Sequence, residues 1–234
     1  MADIFDFAQT VEIDDVREVI GRQIECNMAI SQEGLTHSYG ANIGQVIRAS
    51  SRPDDPIARA KSAAAAGSDA RMGGCEMPVI INSGSGNQGM TASVPVIVYG
   101  REIGASEEKL YRALVLSNLI TIHQKTRIGR LSAYCGAVSA GAAAGAGIAY
   151  LDGGGYEEVI HTVVNALAIV SGMICDGAKA SCAGKIAAAI DAGVLGYRMY
   201  QQGQQFHGGD GIISRGVEKT LDNVGRLGKI GMRS

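Results

Sequence analysis

The sequence predicts a mainly α-helical protein: a single helical domain over residues 1–234 that buries helices of small residues and carries one glycine-rich loop. Three observations predict it. Apolar residues make up 46% of the chain, enough for a sizeable core. Only four prolines interrupt 234 residues, which leaves room for long helices. The 33 glycines have no collagen-like period and cluster in alanine-rich runs, as expected where helices pack closely.

The elements follow in chain order. Residues 13–30 carry Val16, Val19, Ile20, Ile24 and Met28 near helical spacing, with Asp14 and Asp15 suited to an N-terminus. "SQEGL" (31–35) ends that helix at a glycine, and "SRPDDP" (51–56) is a loop. An alanine-rich helix runs from there to about Ala66, where Gly67 and Ser68 break it. Residues 69–89 are loop-rich around a short apolar piece, "PVII". "TASVPVIVYG" (91–100) reads equally as a strand or a buried helix. Ser106 caps a strong helix, "SEEKLYRALVLSNLITIHQK", with acidic residues in its first turn. A small-residue helix ends at "DGGG" (152–155), and further helices span 156–173, 185–201 and 217–227 around a turn at "FHGGDG" (206–211). No repeat and no linker divides the chain.

Composition excludes several classes. The net charge of −2 with scattered basic residues argues against nucleic-acid binding, and the absence of Trp removes stacking platforms. The start of the chain has no basic and apolar leader pattern, so a cytoplasmic location with reduced thiols is expected. Leu131 to Leu151 holds no charge over 21 residues, but its Ala, Gly and Ser fit a helix buried among helices better than a membrane span.

Two constellations carry chemistry. Cys175 and Cys182 stand seven residues apart around Asp176-Gly177. On one unbroken helix they would lie about 10 Å apart, too far for a disulfide. The Asp-Gly pair breaks the helix and folds the thiols toward each other. Two cysteines alone are more often buried as small hydrophobes. Cys135, in "RLSAYCG", adds a third. Three thiolates suit an iron–sulfur cluster with one open iron or a zinc site with an open position, and spacing does not choose between them. No HExxH-type acid supports a zinc hydrolase.

The second constellation is "NSGSGNQG" (82–89), formed by Asn82, Ser83, Gly84, Ser85, Gly86, Asn87, Gln88 and Gly89. Such a loop can turn several N–H groups to one side and hold an anion. It lacks the Gly-Lys-Ser/Thr of a Walker loop. By letter, Gly84, Gly86 and Gly89 match G-x-G-x-x-G, a dinucleotide fingerprint that also needs a βαβ context.

"SQEGL", "SDARMGG" (68–74), "NSGSGNQG", "GRLSAYCG" (129–136) and "SGMICDGAKASCAGK" (171–185) occur in this order. Together they resemble the C-terminal part of the L-cysteine desulfidases, relatives of the iron–sulfur L-serine dehydratase alpha chain, from about Ile24 to Gly211. The resemblance implies a [4Fe–4S] cluster held by Cys135, Cys175 and Cys182, with Cys26 and Cys75 as ordinary side chains. It implies a non-redox β-elimination of L-cysteine to pyruvate, ammonia and hydrogen sulfide, with L-serine dehydration or a non-catalytic cluster-binding module as the alternatives. The glycine loop, Asn82 to Gln88, would then hold the amino acid's carboxylate. The family's N-terminal "GCTEP"-type motif, which carries its proposed base, does not occur here. That half is expected on a separate subunit or in a longer chain, and a homo-oligomer stays open. His37, His123, His161 and His207 fall outside the shared motifs, and Lys125 and Lys179 read as solvated lysines near the ligand cysteines.

Overall fold

The computed structural model describes residues 1–129 and 132–232. Among them are ten α-helices and no β-strand. In order they are α1 (Ala2–Thr10), α2 (Ile13–Thr36), α3 (Ile43–Ser50), α4 (Pro56–Met72) and α5 (Gly86–Glu102). Then come α6 (Glu107–Ile128), α7 (Gly136–Leu151), α8 (Tyr156–Ile169), α9 (Ser181–Gln201) and α10 (Val217–Arg226), closed by a π-helical turn at Leu227–Gly231. The helical class is as the sequence predicts, and Ser106 caps α6 by accepting from the Lys109 N–H.

Helix α7 is the centre, packed on α5, α6, α8 and α9. Its small residues make this geometry. A Cβ on Gly141 would lie 2.5 Å from the Ala189 carbonyl oxygen, and one on Gly147 would lie 2.9 Å from Val96 of α5. Side-chain bulk is missing where backbones meet, so close packing of this kind leaves no void to fill. No helix among the described residues is long and apolar enough to cross a membrane. Leu131, the first residue of the uncharged run, lies outside the described residues.

Several boundaries differ from the sequence reading, and each difference has a packing cause. Helix α2 passes through Gly34 to Thr36, because that glycine lets the α4 backbone approach: a Cβ there would sit 2.0 Å from the Ala66 oxygen. Helix α4 likewise passes through Gly67 and Ser68, with Gly67 facing Ser31 and Met90. Residues 91–100 are helical despite Pro95, within a helix that is almost wholly buried. "PVII" forms no strand; Asn27 bonds both the N–H and the carbonyl of Ile80 and pins the segment as a loop. The first residues form α1, and α3 lies in a stretch, 36–50, that the sequence reading left unassigned. Asp69 of α4 accepts from the Gly44 N–H in the first turn of α3, joining the two helices.

Candidate active site

The glycine loop and the three cysteines come from distant parts of the chain and line one cavity of about 320 Å³. Three helix N-termini open onto it: α5 at Gly86, α7 at Gly136 and, beside Cys182, α9 at Ser181. Each brings a positive dipole end, so the cavity favours anions.

The loop reaches this place through a tight turn. Asn82 and Ser85 exchange backbone hydrogen bonds of 3.1 and 3.0 Å, and the two residues between them, Ser83 and Gly84, have positive φ. That is the two-residue turn in which glycine is favoured. Ser85 Oγ then caps α5, accepting from the Gln88 N–H at 3.4 Å. Gly86 and Gly89 are required by packing: a Cβ would meet Arg71 Nε at 2.5 Å and the Ile80 oxygen at 2.0 Å respectively. Gly84, Ser85, Asn87 and Gln88 line the cavity. Asn82 turns away to bond Asn118, and Ser83 Oγ bonds Asn82. With no strand before it among the described residues, the loop has no βαβ context for a dinucleotide.

Cys135 and Cys175 are registered by a short backbone pairing. Tyr134 and Ile174 form an antiparallel bridge; the Cys135 N–H donates to the Met173 carbonyl at 3.1 Å and the Cys175 N–H to the Ala133 carbonyl at 2.6 Å. In such a ladder the residues flanking the bridged pair share one face, so both sulfurs point the same way. Cys135 is the N-cap of α7 and buried; Cys175 is exposed on a loop. Gly177, at φ +97°, turns that loop back toward α9, as the Asp-Gly reading expects. There Cys182 Sγ lies 3.5 Å from both the Lys179 N–H, which donates to it, and the Gly177 carbonyl. One turn further, Lys185 Nζ donates to the Ile174 carbonyl at 2.9 Å and pairs with the Asp176 carboxylate, tying the Cys175 loop to α9. Arg130 and Leu131 of the "GRLSAYCG" segment lie outside the described residues.

The sequence reading missed two further lining residues, Arg71 and Tyr134, and misread a third, Lys125. Arg71 reaches Asn87 Oδ1 at 3.3 Å, and Tyr134 is buried with no partner for its hydroxyl among the described residues. Lys125 is the clearest correction: it is only 5% exposed, not solvated, and it lines the cavity. Its position on α6 is one of many on an apolar helix, so only packing reveals it. Burial pushes its ammonium below the usual lysine range, opposed by Cys135 and Cys175. Burial pushes the Cys135 thiol up, opposed by the Ala137 N–H. Gln88 packs over Gly136, where a Cβ would lie 2.4 Å from its Cδ, and its buried Oε1 has no partner among the described residues. Lys179 is exposed, and Cys26, Cys75 and the four histidines lie off this cavity.

Among the described residues no three His, Cys, Asp or Glu side chains converge as ligands of one ion. A cubane makes a different demand, since each thiolate binds its own iron and the sulfurs need only line one space. The donor set present, two cysteines at helix N-termini and one on the loop between them lining one cavity, fits that group.

Comparison with known proteins gives the family. Residues 4–234 match the family model described as serine dehydratase alpha chain. A UPF0597 protein of Desulfitobacterium hafniense is 65% identical over 98% of this chain and 53% of its own length. UPF0597 proteins of Lachnoclostridium phytofermentans and Treponema denticola are 55% and 53% identical, over 100% and 98% of this chain and 56% and 54% of their own lengths. The chain thus spans about half the length of these curated relatives. No solved structure matches it. The chain belongs to the serine dehydratase alpha chain family.

Proposed function

We propose that the chain is the cluster-binding part of a lyase that eliminates hydrogen sulfide from L-cysteine, leaving an enamine that water hydrolyses to pyruvate and ammonia. The carrying observation is that Cys135, Cys175, Cys182 and the N-terminus of α5 share one cavity. Cys135, Cys175 and Cys182 would hold a [4Fe–4S] cluster, which when bound supplies a Lewis-acidic iron for the leaving sulfur.

The chain's own residues do the rest of the binding. The free N–H groups at the start of α5, behind Gly84 and Ser85, take the substrate carboxylate. Asn82 and Ser83 hold the turn that aims them. Gln88 Oε1, a buried acceptor, suits the substrate's ammonium group. Lys185 keeps the Cys175 loop closed over the cavity. The α-proton is taken by a base outside the three-cysteine set, on the half of the relatives' length this chain does not span. L-Serine elimination, with water as the leaving group, uses the same carboxylate and ammonium contacts.

The test is the iron and sulfide content of anaerobically purified protein, followed by sulfide and pyruvate release from L-cysteine and L-serine. About four irons per chain, lost in Cys135→Ser, are expected, with sulfide release once the relatives' other half is supplied. Full iron in Cys135→Ser removes the ligand assignment. Stable iron with no release from either amino acid, with the relatives' other half supplied, makes the chain a cluster-binding module instead.

A further inference from the structure

Two cations on different helices open into the cavity without an acidic partner. Arg71 comes from α4 and Lys125 from α6, the helices on either side of α5. Among the described residues neither meets a carboxylate, and no Asp or Glu lines the cavity. The third cation, Lys185, is already paired with Asp176.

The two unpaired cations differ. Arg71 is half-buried and reaches Asn87. Lys125 is buried, and among the described residues its Nζ makes no hydrogen bond, to a cysteine sulfur or to anything else. The stem of Lys125 is buried and its ammonium stands on the cavity wall with Cys135 and Cys175, where an anion entering the cavity would meet it. The cavity is the place from which such an anion can reach Lys125.

We infer that Lys125 pairs with the carboxylate of the substrate, together with the α5 N-terminus that lines the same cavity, and makes the cavity select carboxylic acids over amines. The inference rests on the cavity being the substrate site of the proposed lyase. It adds a recognition residue that the cysteine and glycine motifs do not contain. An ammonium and helix N–H groups in one cavity can engage both oxygens, which sets the direction in which the β-substituent points.

Two unreactive probes separate the charges. 3-Mercaptopropionate has the thiol and the carboxylate; cysteamine has the thiol and the ammonium. Calorimetric titration of the anaerobically purified protein is expected to give tighter binding of 3-mercaptopropionate. Lys125→Met should weaken that probe by about 10- to 100-fold, the size of a charge-assisted hydrogen bond in a dry site, and leave cysteamine unchanged. Lys125→Arg should recover part of the loss. A wild-type protein that binds cysteamine as tightly as 3-mercaptopropionate overturns the inference without any variant. So does a Lys125→Met protein that loses iron but keeps its carboxylate preference, since the lysine would then serve the thiolates. Carboxylate preference that depends on Lys125, without sulfide release from cysteine when the relatives' other half is supplied, sinks the lyase reading and leaves this inference standing.

Discussion

Replacing Gly145 by alanine tests the packing that brings Cys135 and Cys182 together. Helix α7 starts beside Cys135, and α9 carries Cys182 in its first turn. A Cβ on Gly145 would lie 2.6 Å from the carbonyl carbon and oxygen of Gly193 and 2.7 Å from its Cα. Carbon atoms reach favourable contact only at about 3.5 Å, so the two helices must part by roughly 1 Å. The obstacle is backbone, and no rotamer change relieves it. Overpacking of this kind costs about 1–3 kcal/mol, against a helix-propensity gain of about 0.8–1 kcal/mol for alanine over glycine. Gly184, also in α9, has nothing within 4 Å of its Cβ position. Gly184→Ala therefore keeps the gain and avoids the cost. The two variants should differ by about 1–3 kcal/mol, with Gly145→Ala the less stable. Urea unfolding reads this as a lower midpoint at unchanged slope. Equal midpoints for the two variants would refute the close α7–α9 crossing.

Two further perturbations address the loop and the buried carboxylate. Lys185→Met removes the tie from α9 to Ile174 and Asp176, so iodoacetamide should alkylate Cys175 several-fold faster, with little change in the unfolding midpoint because the pair is exposed. An unchanged alkylation rate would mean that the loop is held by the Tyr134–Ile174 pairing alone. Burial raises the Asp69 carboxyl above its ordinary value of 3.8, against the N–H groups of Gly44 and Ile43. The folded state then binds more protons than the unfolded state just above pH 3.8, so stability falls as pH rises through that window. Asp69→Asn keeps an acceptor for Gly44 and should be as stable or more stable at neutral pH, its advantage vanishing below pH 3.8. A variant clearly less stable at neutral pH would show that the ionised form is needed.

The helical class was legible because it depends on local quantities. Ser106 with Glu107 and Glu108, the scarcity of proline and the apolar spacing in residues 13–30 all favour helix without reference to any distant residue. The same local rules misplaced the ends of α2 and α4. Glycine weakens an isolated helix. At Gly34 and Gly67, tertiary contact reverses that, because the missing Cβ admits a neighbouring chain segment at 2.0 to 2.9 Å. Residues 91–100 were ambiguous for a related reason: a wholly buried element has no polar face to reveal its period.

The candidate site divides along the same line. The sequence by itself determined the reactive atoms: three thiols, an Asp-Gly break between two of them, and a loop whose glycines free its N–H groups. These are properties of residue type and short spacing. Only the tertiary structure decided that the thiols and the loop share one cavity, since 40 residues separate Cys135 from Cys175 and no local rule brings them together. It also decided that Lys125 faces into that cavity and not into solvent. A lysine's charge is fixed by its chemistry, but whether that charge stands without a partner depends on which helices pack around it.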